Sequence, residues 1–349
     1  MSDAPDVDFP IAMLGPRGVG KTSMIAAFVN EFDKVFEGPL EILYPEEQTR
    51  VNMAGLLLDL KKVAEGKPAG VDTGSVGIGV TSDIQSHRLE IRHVTSGTGM
   101  FLNFTDYPGN WLQERNAEVS GLVGHAAVIL IAVDTPALME LDETDHEEVN
   151  MPNLLTSTLK SVLAGAPGRE RLVVFVPMKC ERWVQAGGHA AVWARLSGRY
   201  ASLLKALRKY PEVAVAAHPV QTLGAVRFSH YELQKGRRKA LFTRSADGYS
   251  PKDCEKPLLY CLAFVLKQLH ERFKAHAASV EKIIKERHWL DVAWDGFQSS
   301  IGFPTQLQKA LSKWQNHEAS VFSTLEHYVK TPPDTPPFGV VQGRHLLGL

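Results

Sequence analysis

The chain has 349 residues, with 38 lysines and arginines against 39 aspartates and glutamates, for a formal net charge of −1. That balance excludes a global field that would draw the protein to nucleic acid or to an anionic bilayer. The length allows a substantial core in one large domain or two smaller ones, and the longest wholly apolar run, Ala126–Val133, is too short to span a membrane.

Phe9–Leu14 is an apolar run of strand length. Directly after it, Gly15-Pro16-Arg17-Gly18-Val19-Gly20-Lys21-Thr22 fits the pattern G-x-x-x-x-G-K-[ST] at every required position. Met24, Phe28 and Phe32 then recur at i, i+4 and i+8, with Ile25 and Val29 beside them, as on the apolar face of a helix. Between a strand and a helix, such a loop wraps an anion with successive backbone N–H groups and the positive end of the helix dipole. Gly15 to Ser23 is therefore the expected phosphate cradle. Lys21 would reach the β- and γ-phosphates and Thr22 would give its hydroxyl to Mg²⁺. The motif points to a nucleoside triphosphate.

Further along, Glu46–Glu65 reads as a helix, and Gly66–Gly79, rich in glycine and small residues, reads as a mobile loop. Ile84–Val94 and Met100–Asp106 read as a hairpin of two strands. Ala126–Asp134, Leu172–Pro177 and Val213–Ala217 are short continuous apolar runs, separated by helical segments at 151–164 and 190–209. Continuous apolarity is expected of parallel strands covered on both faces, and the alternation predicts an α/β doubly wound, mostly parallel sheet with one antiparallel hairpin strand. Three units are expected: a nucleotide-binding domain over 1–275 with a hairpin insertion at about 225–250, a helical C-terminal extension over 276–330, and a loose proline-rich tail over 331–349. Leu307, Leu311, Trp314, Val321, Leu325 and Tyr328 give the extension its apolar stripe.

Two more motifs bear on the chemistry. Asp106-Tyr107-Pro108-Gly109 ends the second hairpin strand, where a carboxylate can hold Mg²⁺ and a glycine N–H can meet the γ-phosphate. After Leu172–Val176 comes Pro177-Met178-Lys179-Cys180-Glu181. Guanine-specific sites usually carry N-K-x-D here. This chain keeps the lysine, offers Glu181 for the aspartate and has Met178 in place of the asparagine. Val220–Gly224 follows the last strand, where a backbone N–H can read guanine O6.

The motif order resembles the translation-factor-like (TRAFAC) branch of P-loop GTPases. D-Y-P-G-x-W-L and K-C-E-x-W resemble, more narrowly, prokaryotic GTPases of the YcjX-like and double-GTPase type. The resemblance implies a P-loop NTPase fold and a GTP/GDP and Mg²⁺ switch with a protein effector or activating partner, and homodimerisation stays open. It also implies a switch threonine before the second strand, for which Thr81 is the candidate and Thr73 the competitor. Thr22, Thr81 and Asp106 would then hold the metal, and Lys179 and Glu181 would select guanine. Asn110 stands where many GTPases place a water-positioning glutamine, which implies slow hydrolysis without a partner. Arg17 is either an internal arginine finger or a solvent-facing side chain. An ATPase or kinase-like phosphotransferase and a nucleotide-loaded interaction module with little hydrolysis are the alternatives.

Other features read as structural. Glu140–Glu148 reads as a solvated acidic loop, and Lys235–Lys239 as a charged hairpin tip. The scattered Cys180, Cys254 and Cys261 fit a reducing compartment, and the acidic start Met1–Asp6 has no signal-peptide profile. A soluble, cytoplasmic protein is expected.

Overall fold

A computed structural model describes residues 8–35, 40–66, 71–72, 84–94, 99–234, 237–245, 248–268, 271 and 336–348. Its strands are β1 (Asp8–Leu14), β2 (Leu40–Leu43), β3 (Val71–Asp72), β4 (Gln85–His93), β5 (Gly99–Asp106), β6 (Val128–Asp134), β7 (Arg171–Met178), β8 (Val213–Ala217), β9 (Val226–Gln234), β10 (Arg237–Arg244) and β11 (Gly339–Gln342). The helices are α1 (Lys21–Val35), α2 (Glu47–Glu65), α3 (Trp111–Glu114), α4 (Asn116–His125), α5 (Thr135–Glu140), α6 (Glu143–Asn150), α7 (Pro152–Ala164), α8 (Glu181–Val184), α9 (His189–Arg199), α10 (Ala201–Leu207) and α11 (256–268).

The main sheet has eight strands in the order β11-β8-β7-β6-β1-β5-β4-β2. The five from β8 to β5 run parallel. Strands β6, β7 and β8 are buried at every residue, which is why their sequences are continuously apolar. Successive residues point to opposite faces. Ile11, Met13, Phe104, Leu130 and Val174 pack with Met24, Phe28 and Phe32 of α1 and with Leu262 and Val265 of α11. Ala12, Leu14, Ile129, Ile131 and Phe175 pack on the other face with Val119, Leu155, Leu159, Leu196 and Leu203. This is the expected doubly wound α/β class. Besides the expected hairpin strand β4, the strands β2 and β11 pair antiparallel at the two edges.

A second sheet, β3-β10-β9, is built on the hairpin expected near 225–250. Val226, Phe228 and Phe242 bury against Val63 of α2, and Trp183 stacks on Phe228 at 5.6 Å. Arg182 of α8 donates to Ser229 O at 2.8 Å, fixing the hairpin to the main body.

Two expectations are corrected. The acidic segment 140–148 is largely helical, in α5 and α6, rather than a loop. Asp142 caps α6 by accepting from Asp145 N at 2.9 Å, and acids in the first turn favour the dipole. Within the expected loose tail, the described residues 336–348 are tied to the body, because β11 pairs with β8 and Phe338 is buried. Gln342 Nε2 donates to Leu207 O at 3.2 Å and to Val213 O at 2.8 Å, and a 3₁₀ turn, Arg344–Leu347, follows. An open edge of β8 would leave backbone N–H and C=O groups unpaired, and β11 satisfies them. The expected helical extension 276–330, Thr73, Thr81 and Lys235 lie outside the described residues. Among the described residues no helix is long and apolar enough to cross a membrane.

Candidate nucleotide-binding site

The parallel strands end together at one rim, and the loops leaving that rim carry the sequence motifs. The loop from β1 to α1 needs three glycines in the left-handed half of backbone space: Gly15 at φ 148°, Gly18 at 72° and Gly20 at 105°. At Gly15 a Cβ would also sit 2.6 Å from Ala132 O, so the loop starts pressed onto β6. Helix α1 then begins at Lys21, with Met24 N donating to Gly20 O at 2.9 Å.

Lys21 folds back over this loop. Its Nζ donates to Gly15 O at 3.2 Å and to Pro16 O at 3.3 Å, and it lies 4.0 Å from Asp106 Oδ1. Burial pulls its ammonium below the usual lysine range, and the Asp106 charge opposes that pull. Thr22 donates its hydroxyl to Asp106 Oδ2. Asp106 is fully buried at the end of β5, whose parallel register sets Asp106 opposite Met13. Lys21, Thr22 and Asp106 thus meet as the sequence expects. One carboxylate and one hydroxyl are hard oxygen donors of the kind Mg²⁺ takes alongside phosphate and water, so the residues fit that ion.

Gly109 packs backbone to backbone on the loop, and any Cβ there would collide with Arg17 N. The Gly109 backbone therefore lies directly against the expected phosphate cradle. The side chains of the two residues at this contact point elsewhere. Arg17 is exposed, and Asn110 Nδ2 donates to Glu114 Oε2 at 2.8 Å, along the surface of α3.

Beyond β7, Lys179 adopts φ 57° and reaches Asp134 Oδ2 with Nζ at 2.8 Å, with the Phe242 ring 5.9 Å away. Asp134 is itself fixed: its Oδ1 accepts from Ala137 N at 3.0 Å, and Asn150 bonds its backbone N–H and C=O. Met178 is buried, and its Cε would lie 3.5 Å from a Cβ on Gly20, so an apolar contact ties this segment to the phosphate cradle. Glu181 lies beneath the 220–224 loop and is only 2% exposed. Burial pushes its carboxyl up to about 7, against the lowering effect of N–H bonds from Glu181, Leu223 and Gly224 and of the Lys179 charge. Gln185 Nε2 also holds this loop, donating to Gln221 Oε1 and to Gly224 O. Sequence reasoning missed Asp134 and Gln185, and it named Gln221 only as part of the 220–224 loop. The only signal for Asp134 was a carboxylate ending an apolar strand beside the lysine's strand.

A family model described as Double-GTPase 2 matches residues 10–209. The chain belongs to the Double-GTPase 2 family. The match runs from β1 through α10 and so contains the Lys21, Asp106 and Lys179 segments. No curated protein matches the chain. The double-GTPase family implies a guanine nucleotide, and the meeting of Lys21, Thr22 and Asp106 at one rim suits its phosphates. The 220–224 loop lies beyond the matched residues.

Proposed function

We propose that this double-GTPase protein binds and hydrolyses GTP with Mg²⁺ and that a protein partner reads its nucleotide state. The observation that carries the reading is the convergence of Lys21, Thr22 and Asp106 under a glycine loop against which Gly109 is packed. The backbone N–H groups of residues 15–22 and the Lys21 ammonium bind the phosphates. Mg²⁺, held by Thr22 and Asp106, would neutralise charge on the β- and γ-oxygens. Thr81 joins that shell in the triphosphate state, as the family resemblance implies. Water attacks the γ-phosphorus in line, giving GDP and phosphate. The Gly109 N–H senses the γ-phosphate, and the segment beyond it carries the change outward. Lys179 and Glu181, with the 220–224 loop, select guanine.

The exposed Arg17 and the Asn110–Glu114 bond favour one second reading, a nucleotide-loaded interaction module with little intrinsic hydrolysis. Calorimetric titration with GDP, a non-hydrolysable GTP analogue and an ATP analogue, each with Mg²⁺, tests the proposal. A guanine preference of about a hundredfold is expected, or about 2.7 kcal/mol. Equal binding of the adenine nucleotide would move the protein to the ATPase or kinase-like class. Tight guanine binding with negligible single-turnover hydrolysis would favour the module.

A further inference from the structure

Gln185 follows α8 one turn past Glu181, and both side chains reach the 220–224 loop. Gln185 Nε2 donates to Gln221 Oε1 at 2.8 Å and to Gly224 O at 2.9 Å. The Gly224 carbonyl can only accept, so it fixes which end of the Gln185 amide is nitrogen. Both amide hydrogens are then spent. Gln185 Oε1 is buried and has no hydrogen-bond partner among the described residues. An unpaired buried acceptor costs stability, which is a poor trait in a residue kept only to hold the fold together.

The rest of the loop is backed by backbone. Val220 N donates to Pro177 O at 3.0 Å, and Gln221 exchanges two 3.0 Å bonds with Lys252. Ser250 N donates to Leu223 O at 3.1 Å, and a Cβ on Gly224 would collide with Ser250 O. On the opposite side the Glu181 carboxylate takes the N–H groups of Leu223 and Gly224. Gln185 closes this clamp by holding the carbonyl of the same Gly224 peptide segment and the side chain at the loop's other end.

Guanine offers an acceptor at O6 and donors at N1 and N2, and adenine reverses the pattern at position 6. Sites that discriminate by hydrogen bonding do so only when their donors and acceptors are held in place. We propose that Gln185 is a positioning residue for the nucleobase: it fixes the Gln221–Gly224 loop against Glu181 so that the site takes guanine over adenine. The inference rests on the guanine reading above and assigns its selectivity to a residue that does not touch the base.

The test titrates GDP and ADP, with Mg²⁺, into the full chain as wild type, Gln185→Leu and Gln221→Leu. In Gln185→Leu, GDP affinity should fall at least tenfold while ADP affinity changes less than twofold. Gln221→Leu removes one of the two bonds and should give a smaller fall in the same direction. A merely structural role would lower both nucleotides together, and that result overturns the assignment, as does an unchanged GDP/ADP ratio in Gln185→Leu. Should Gln185→Leu fail to fold, an unchanged ratio in Gln221→Leu overturns it. A wild type that does not prefer GDP overturns the guanine reading itself, and with it any selectivity for Gln185 to set.

Discussion

At Gly109 a methyl group would land on Arg17 N, so Gly109→Ala must push two loops apart. Crowding of this kind costs about 1–3 kcal/mol. The loss should fall unevenly, because the Gly109 N–H is assigned to the γ-phosphate alone. Affinity for a GTP analogue should drop at least tenfold and affinity for GDP by much less, as parallel titrations would show. Equal losses would separate Gly109 from the γ-phosphate. The residues at this end of the site were legible because their pattern is local: a glycine loop, a lysine and a threonine within eight positions. Asp134 and Gln185 were not, since their partners Lys179 and Gln221 lie 45 and 36 residues away. No periodicity encodes such pairs. Glu181 shows a subtler limit. Its sequence position beside Lys179 was informative, but its burial under the loop depends on residues near 223.

Among the elements, β11 is short enough for one side chain to test its contribution. Phe338 sets up its pairing with β8 and packs edge-on to Trp193, with ring centroids 5.6 Å apart. Phe338→Ala should destabilise the protein by about 3–5 kcal/mol, the range for a buried Phe truncation. The change would appear as a lower midpoint in chemical denaturation with nucleotide affinity retained, because Phe338 lies outside the phosphate cradle. A cost below about 1 kcal/mol would mean that β11 contributes little to the fold. Elements with a long apolar period, such as α1 and α7, were legible in the sequence. So were the continuous runs of β6 to β8. Strand β11 has four residues and follows prolines, so it carries no period to detect. Helix α6 was hidden for another reason: its acids read as solvation, whereas a capped first turn uses them against the helix dipole.

For the whole molecule, two buried titrating groups pull stability in opposite directions with pH. His146 is held down to about 4, chiefly by burial and then by Arg199 and Arg195. A depressed histidine favours the fold while neutral, so its contribution is present above about pH 6.5 and lost as pH falls toward 4. Glu181, pushed up to about 7, favours the fold while protonated, and its contribution is lost as pH rises from about 4.5 through 7. Each amounts to roughly 2–3 kcal/mol between pH 7 and pH 4.5, and the two nearly cancel. His146→Phe should therefore be more stable at pH 4.5 than at pH 7 relative to wild type, and Glu181→Gln less stable. Denaturant midpoints at the two pH values measure both, and parallel shifts in both variants would refute the opposition. The fold class was readable because strand–helix alternation is a property of the whole chain. The cancellation was not, because burial is set by the finished core.

The pairing of β11 with β8 joins segments separated by about 120 residues of chain, and contacts that distant form late. During synthesis the N-terminal strands leave the ribosome first, while β8 waits for β11 before its outer side is covered. A chain lacking β11 would keep the β1–α1 loop but leave one edge of the main sheet open to pairing with another chain. The β8 edge is thus guarded by a segment that the chain supplies only after the rest of the main sheet.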